Sequence, residues 1–471
     1  MATTNDNLHA DLLVIGFGKG GKTVAAKMGS LGKRVLLVER SDRMYGGTCP
    51  NVGCVPTKAL VHHSRKRRPE DSPQEWYERS IGQVQALTKL FRGANYEGLN
   101  GMDTVTVITG KAAFIDPHTV GVDTGDGRLT ITAETILLNT GSEPVIPGIP
   151  GLRESQYTVT SADLIQTTVL PQRLAIIGGG YLGLEFASIY RQFGSQVTVF
   201  EAAPKILGHL DDDVAAVAQS ILADEGTDII AGAHVTQVRD GDTGATVVFE
   251  KDGRQHSVEA DAILAAAGRA PATRDLGLDA AGVRTSENGA VEVDEHLRTS
   301  RRHIYALGDV NGGPQFTYIS LDDSRIVLDQ LIGEGTRTTA DRVAIPHTVF
   351  ITPPLATVGI TEKEARAAGH RVKIAGQPVA EIVAMPRAYI VEDTRGVMKF
   401  VIDADTDEIL GAAILSVDAQ EVINTVALAM RHGVKAAELR DAVYNHPTST
   451  EAFNDVLATI VRTDEPEAGQ G

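Results

Sequence analysis

One pattern occurs twice in this chain and limits its fold more than any other feature. Residues 11–15 (DLLVI) run into 16–21 (GFGKGG), a helical stretch 22–31, and an apolar run 34–38 (RVLLV) that ends at Glu39. Residues 174–177 (LAII) run into 178–183 (GGGYLG), a helical stretch 184–193, and 196–200 (QVTVF), ending at Glu201. Gly16 to Glu39 and Gly178 to Glu201 span the same 23 positions. A strand, glycine turn, helix and second strand repeated about 160 residues apart predicts two copies of one α/β domain type, not a solenoid of short repeats.

The parts of each copy make physical sense together. Glycines let the backbone approach a pyrophosphate, the helix start offers N–H donors and a positive dipole end, and a strand-terminal carboxylate accepts from a ribose hydroxyl. Gly16, Gly18, Gly21 and Glu39 therefore read as one dinucleotide site, and Gly178, Gly180, Gly183 and Glu201 as another. A carboxylate at Glu201 would repel a 2′-phosphate, which predicts NADH rather than NADPH at the second site. Only Lys205 offers a cation nearby (EAAPKIL). The first turn also satisfies GxxxxGK[ST], with Lys22 and Thr23 in the places a triphosphatase uses for phosphate and Mg²⁺. That reading leaves Glu39 and the second copy unexplained.

Two further apolar runs stop at Gly141 (residues 135–141, TILLNTG) and Gly268 (262–268, AILAAAG), and look like closing strands of the two units. Residues 103–136 read as a small antiparallel excursion. After Arg342 strands and helices continue without a glycine fingerprint. The expected organisation is a first nucleotide domain in two parts, 1–152 and 272–342, a second at 153–271, and an α+β domain at 343–471. The tail from Thr463 is expected to be disordered.

Composition excludes some classes. With 42% apolar and 22% charged residues the chain can bury full-sized cores. Its net charge of −17 argues against a nucleic-acid or anionic-membrane binder. No apolar run approaches the roughly 20 residues that span a bilayer. The start (MATTNDNLHA) lacks the layout of a secretory signal, so the expected compartment is the cytoplasm.

Two cysteines cannot build a disulfide scaffold or a four-thiolate metal site, and no metal is expected. Cys49 and Cys54 lie in YGGTCPNVGCVPTK (45–58). In an ideal helix their Cα atoms would be ~8.6 Å apart, whereas a disulfide wants less than about 7 Å. They can bridge only if the helix start is distorted, and Pro50 and Gly53 disfavour a regular turn. A bridged pair there, in a reducing compartment, points to catalysis; two free buried cysteines is the alternative.

The segment GGTCPNVGCVPTK resembles the redox motif of the FAD-dependent pyridine nucleotide–disulfide oxidoreductases, which include lipoamide dehydrogenase, glutathione and mycothione reductases and mercuric reductase. The likeness extends over both fingerprints, Leu307-Gly308-Asp309, and His446-Pro447-Thr448-Ser449-Thr450-Glu451. It implies two Rossmann-like domains, for FAD and NAD(P)H, and a C-terminal α+β dimerisation domain. It further implies that Gly16, Gly18, Gly21, Glu39, Arg40, Gly47, Thr48, Lys58, Ala112, Gly141, Asp309 and Thr317 hold FAD. Gly178, Gly180, Tyr181, Gly183, Glu201 and Gly268 would hold NAD(P), with Tyr181 gating one flavin face. Cys54 would be the flavin-facing thiolate and Cys49 the exposed interchange thiol. Lys58, paired with Glu185, would sit beside the flavin's reactive nitrogen. His446 would be the acid/base acting on Cys49 of the other subunit, so the resemblance implies a homodimer sharing its active sites. Glu451 would orient His446, while Thr448-x-x-Glu451 also reads as a helix capping box.

Within that family the tail shows no second thiol pair, so a relay through C-terminal thiols is not expected. GFGKGGKT, MYGGTC, GGPQFTYISLDD (312–323) and EDTRGVMKF (392–400) are similar to the reactive-chlorine-resistance branch, associated with hypothiocyanous acid and copper(II) reduction. The resulting expectation is an NAD(P)H-dependent enzyme acting on a small oxidant such as hypothiocyanous acid. A low-molecular-weight disulfide reductase, lipoamide dehydrogenase, a copper(II) reductase and a flavin-bound redox sensor are the alternatives. The basic run Arg65-Lys66-Arg67-Arg68, after His62 and His63, reads as a solvated face rather than an anion or copper site; Trp76 carries no message.

Overall fold

The computed structural model describes residues 7–459 and 462–463. β1 (Asn7–Ile15) is apolar through its second half and fully buried there, so it occupies the middle of a sheet. α1 (Lys19–Ser30) and β2 (Val35–Glu39) come next, and β2 lies parallel to β1. After them stand α2 (Thr48–Val52), α3 (Cys54–Ser64) and the long α4 (Pro73–Asn100), which starts on a proline. β3 (Val105–Thr109), β4 (Lys111–Asp116), β5 (Thr119–Thr124) and β6 (Gly127–Leu138) complete the sequence-local part of the sheet, in the order β3-β2-β1-β6-β5-β4. Ile304–Ala306 returns to pair with β6, so this unit closes only after the second has been inserted.

The second unit repeats the arrangement with parallel strands Arg173–Ile177, Gln196–Glu201, Thr227–Ala231 and Ala262–Ala265. A three-stranded antiparallel sheet (His234–Asp240, Ala245–Lys251, Arg254–Ala260) caps it. The repeat holds at the level of single bonds. Gly16 N donates to Val38 O at 2.8 Å and Gly178 N to Phe200 O at 2.9 Å; Asn139 N donates to Ile15 O and Ala266 N to Ile177 O.

Two expectations need correction. Residues 103–136 are not wholly antiparallel: β3 pairs parallel with β2 and widens the nucleotide sheet, and β6 runs antiparallel to β5 but parallel to β1. The fingerprint helices start a turn early, at Lys19 and Tyr181. Gly20 and Gly21, read as turn, are helical because their missing side chains let the first turn pack against Ser320 and Asn139. The basic run is a solvated face, with Arg65, Lys66 and Arg68 exposed and Arg67 half-buried, but it is not free of contacts. Arg65 donates to Ile351 O and Thr352 Oγ1, and Arg67 to Gln192 O, tying the redox helix to the second unit and to the segment at 351–352.

His62 and His63 end α3 with their rings edge to face, and join no three-ligand cluster among the described residues. Trp76 Nε1 donates to His63 O. The C-terminal six-stranded sheet runs from His347–Val349 to Arg462–Thr463 around a core that includes Phe400, Ile423 and Phe453. Thr463 thus lies in a strand; the rest of the expected tail, 464–471, and residues 1–6 fall outside the described residues. Val383, Tyr389, Ile390, Leu428 and Val443 leave large apolar side chains exposed on this last domain, Val443 completely. Among the described residues no helix is long and apolar enough to cross a membrane.

Candidate active site

A cleft of about 530 Å³ opens at the carboxyl ends of β1, β2 and β6. Gly16, Gly18, Glu39, Arg40, Gly47, Thr48, Ala112 and Gly141 line it. Gly21 lies one layer below, its N–H donating to Asn139 Oδ1 at 2.8 Å. A Cβ at Gly16 would stand 2.4 Å from Asn139 O, and one at Gly47 2.8 Å from Gly18 Cα, so both approaches require glycine. Glu39 accepts from Phe17 N at 3.0 Å and Ser41 N at 3.3 Å, and burial pushes its carboxyl above the usual range. Arg40 pairs with Glu143 across the mouth. Thr140 Oγ1, in the same wall, is buried with no hydrogen-bond partner. A glycine turn under a helix start, a strand-end carboxylate and an orphaned hydroxyl fit a dinucleotide such as FAD.

Asp309 lies behind this wall, accepting from Ser142 Oγ at 2.6 Å, while Arg269 holds the same serine through two bonds. Asn139, Ser142 and Arg269 escaped the sequence reading. Asn139 carried a signal, as a polar side chain ending an apolar strand; Ser142 and Arg269 carried none.

In the second unit Glu201 accepts from Gly179 N at 2.9 Å and Ala203 N at 2.7 Å, matching Glu39. Gly183 packs where a Cβ would meet Gly178 O at 2.0 Å, whereas Gly180 and Gly268 (φ +109) face open space. Lys205, the one nearby cation, is paired with Asp212. Tyr181 starts its helix and hydrogen-bonds His209 Nε2 at 2.9 Å, a partner the sequence did not suggest.

The cysteines sit on either side of a break. Gly53 (φ −126°, ψ −119°) interrupts the helix between α2 and α3, placing Cys49 in the first turn of one and Cys54 at the start of the next. The interruption brings the two thiols into hydrogen-bond contact, which a continuous helix would not allow. Thr317 Oγ1 lies 3.5 Å from Cys54 Sγ. The Cys49 hydrogen bond lowers Cys54 to about 6 against the cost of burial, helped by Thr317 and the charge of Lys58. Cys49 moves up, because its proton is held by Cys54 and because it is buried. Both are free thiols here, with Cys49 half-buried and Cys54 exposed. Lys58 Nζ donates to Glu185 Oε2 at 2.7 Å and stands 4.6 Å above the Phe350 ring, whose backbone N–H binds Glu185 Oε1.

His446 and Glu451 meet each other in the last domain. Glu451 Oε2 lies 2.9 Å from His446 Nδ1, and Oε1 accepts from Thr448 N at 2.8 Å. Burial raises the Glu451 carboxyl, but the Thr448 N–H and His446 outweigh it, so the net shift is downward. An ionised carboxylate only accepts; Nδ1 therefore carries the proton and Nε2 is left as the working nitrogen. Among the described interactions His446 reaches neither cysteine within the chain, and its side chain is 71% exposed.

Comparison with known proteins agrees with this geometry. Residues 10–324 match the model of the pyridine nucleotide-disulphide oxidoreductases and 345–457 that of their dimerisation domain. The chain is 43% identical to the probable pyridine nucleotide-disulfide oxidoreductase RclA of Escherichia coli (strain K12), over 95% of this chain and 98% of that one. It is 32% identical to the dihydrolipoyl dehydrogenase of Geobacillus stearothermophilus, over 97% of each. A solved structure described as the Cu(II) complex of HOCl-induced flavoprotein disulfide reductase RclA from Escherichia coli superposes with a TM-score of 0.91 at 43% identity, covering 96% and 99%. The chain belongs to the pyridine nucleotide–disulfide oxidoreductases, flavoenzymes that use FAD and NAD(P)H, and is closely related to the reactive-chlorine-resistance branch.

Proposed function

We propose that this enzyme uses NADH to reduce a small oxidant, hypothiocyanous acid first, through Cys49 and Cys54, as a cytoplasmic homodimer with shared active sites. The contact of two oppositely shifted thiols across the Gly53 break carries the reading. Likeness to a flavoprotein described as HOCl-induced supports the class of oxidant. Bound FAD supplies the two-electron relay between NADH and the Cys49–Cys54 disulfide.

The chain's own groups have separate tasks. The turns at Gly16–Gly21 and Gly178–Gly183 receive the two pyrophosphates, and Glu39 and Glu201 take ribose hydroxyls. Asp309 and Thr317 would help hold the flavin, and Cys54 would be the thiol on its side. Lys58, fixed by Glu185, adds positive charge there, and Tyr181 with His209 shields the nicotinamide side. Cys49 gives its proton to His446 of the partner subunit, and its thiolate attacks the sulfur of hypothiocyanous acid. An S–S bond forms, and the leaving hydroxide takes that proton to become water. Cys54 then attacks the Cys49 sulfur, thiocyanate leaves, and the disulfide closes. The sum is NADH and HOSCN giving NAD⁺, SCN⁻ and water.

NADH oxidation by the holoenzyme is to be monitored with hypothiocyanous acid, copper(II), oxidised lipoamide, glutathione disulfide and mycothiol disulfide, with Cys49→Ser and Cys54→Ser alongside. Fast turnover with hypothiocyanous acid that both substitutions abolish supports the reading. Turnover of lipoamide or mycothiol disulfide with none of hypothiocyanous acid overturns it. Copper(II) is the second reading, favoured by the Cu(II) complex of the solved relative, and would stand if copper alone drives thiol-dependent turnover.

A further inference from the structure

The triphosphatase-like lysine has no phosphate to serve in this fold. Lys22 lies in the first turn of α1 but is not part of the nucleotide cleft wall. Its ammonium points the other way, donating to Gly46 O at 3.4 Å and to the side-chain oxygen of Asn95 on α4. Packing there is close. Gly46 has φ +93, and a Cβ on it would stand 2.9 Å from both the Asn95 amide and the Pro50 ring. Lys22 is thereby pinned to the loop that enters α2, three residues before Cys49.

No carboxylate pairs with Lys22 among the described residues. Burial, then the neighbouring Lys19, push it down to about 8, and the anion that pulls it back up is Cys49. The Cys49 thiol is in turn drawn down by Lys22, against Cys54 and burial. The groups acting on the two sulfurs are therefore Cys54, Thr317 and Lys22 for Cys49, and Cys49, Thr317, Lys58 and Glu185 for Cys54.

We infer that Lys22 is a positioning residue for the oxidant half of the reaction: a cation with no carboxylate partner among the described residues, tethered beside the loop that leads to Cys49, that favours the Cys49 thiolate. The inference rests on Cys49 being the attacking sulfur. The disulfide form carries no charge for Lys22 to act on; after reduction the proton leaves Cys49 and the ammonium faces the new anion. Cys54 and Cys49 thus have one lysine each, Lys58 and Lys22, and the two need not be ionised together.

The test is alkylation of Cys49 in the NADH-reduced holoenzyme by iodoacetamide, a neutral probe that the lysine charge cannot steer. Rates are read by peptide mass across pH. Lys22→Met should raise the midpoint of the profile and slow alkylation at pH 7 by about threefold to tenfold. Lys22→Arg should restore most of the rate, and the Lys22→Met shift should persist in a His446→Gln background. If Lys22→Met fails to retain FAD, Asn95→Ala, which frees the ammonium without removing it, should raise the midpoint by a smaller step. An unmoved midpoint in whichever of these variants retains FAD, or an arginine that restores nothing, overturns the inference. Labelling of Cys54 in place of Cys49 would instead overturn the assignment of the attacking sulfur, whatever oxidant the enzyme uses.

Discussion

Glu451 bridges two duties, holding His446 Nδ1 at 2.9 Å with one oxygen and the Thr448 N–H at 2.8 Å with the other. Closing the turn at Thr448 and orienting the imidazole are thus done by a single carboxylate. Glu451→Gln keeps an acceptor for Thr448 but loses the charge that fixes the imidazole. Oxidant turnover should fall at least about tenfold, and His446→Ala by about 10²–10⁴, while reduction of the bound flavin by NADH stays near wild type. Stopped-flow separation of the two half-reactions is the measurement; an equal loss in both would contradict the role.

The Cys54 thiolate should titrate near pH 6. Because the shift is downward, the ionised form is present above that pH and is lost as pH falls through it. The long-wavelength thiolate–flavin absorbance of the NADH-reduced enzyme should fade accordingly. Thr317→Val removes one hydroxyl donor and should raise the midpoint by roughly half a unit to one unit, the worth of about 1 kcal/mol.

Lys58 and Glu185 form an ion pair in which the carboxylate side chain is only 6% exposed. Lys58→Met leaves Glu185 buried with the Phe350 N–H as its remaining partner and should cost roughly 2 kcal/mol, read as a thermal midpoint lower by several degrees. The double variant Lys58→Met/Glu185→Leu should recover more than half of that loss but none of the activity.

Nucleotide choice should track Glu201. Lys205, the cation the sequence places near it, is already paired with Asp212 and so is not free to receive a 2′-phosphate. kcat/KM should favour NADH over NADPH by at least about tenfold, and Glu201→Ala should erase most of the difference, the loss of a charged hydrogen bond being about 1.5–3 kcal/mol. A wild-type preference for NADPH would refute this.

The exposed Leu428 and Val443 should be covered in the homodimer. Leu428→Asp/Val443→Asp should yield a monomer by light scattering that still binds FAD yet turns over no oxidant, since His446 would then lack a partner subunit's Cys49. A dimer that survives both charges would place the interface elsewhere.

The duplicated fingerprints were legible because their chemistry is local: glycine, helix start and glutamate all lie within 24 residues of one another. The strand partners were less so. β3 looked like part of an excursion because its pairing with β2 bridges the 28-residue helix α4. Phe350, Ser142 and Arg269 reach the site from segments far along the chain, and no periodicity marks such contacts. The basic run is solvated as its charge suggested, with Arg65, Lys66 and Arg68 exposed, but its contacts were not legible. Arg65 and Arg67 also find backbone carbonyls supplied by distant segments, which no local pattern announces.

The bond-for-bond match between the Gly16–Glu39 and Gly178–Glu201 turns has a consequence for selectivity. Both cofactors carry the same adenosine diphosphate end, and under the proposed assignment that end would be held twice by one type of turn. If both turns serve as proposed, the residues threaded between the shared glycines, Phe17 and Lys19 in one case and Gly179 and Tyr181 in the other, are where the two grips differ nearest the shared end. Exchanging those short stretches, rather than the glutamates, is where a swap of cofactor preference between the sites would begin.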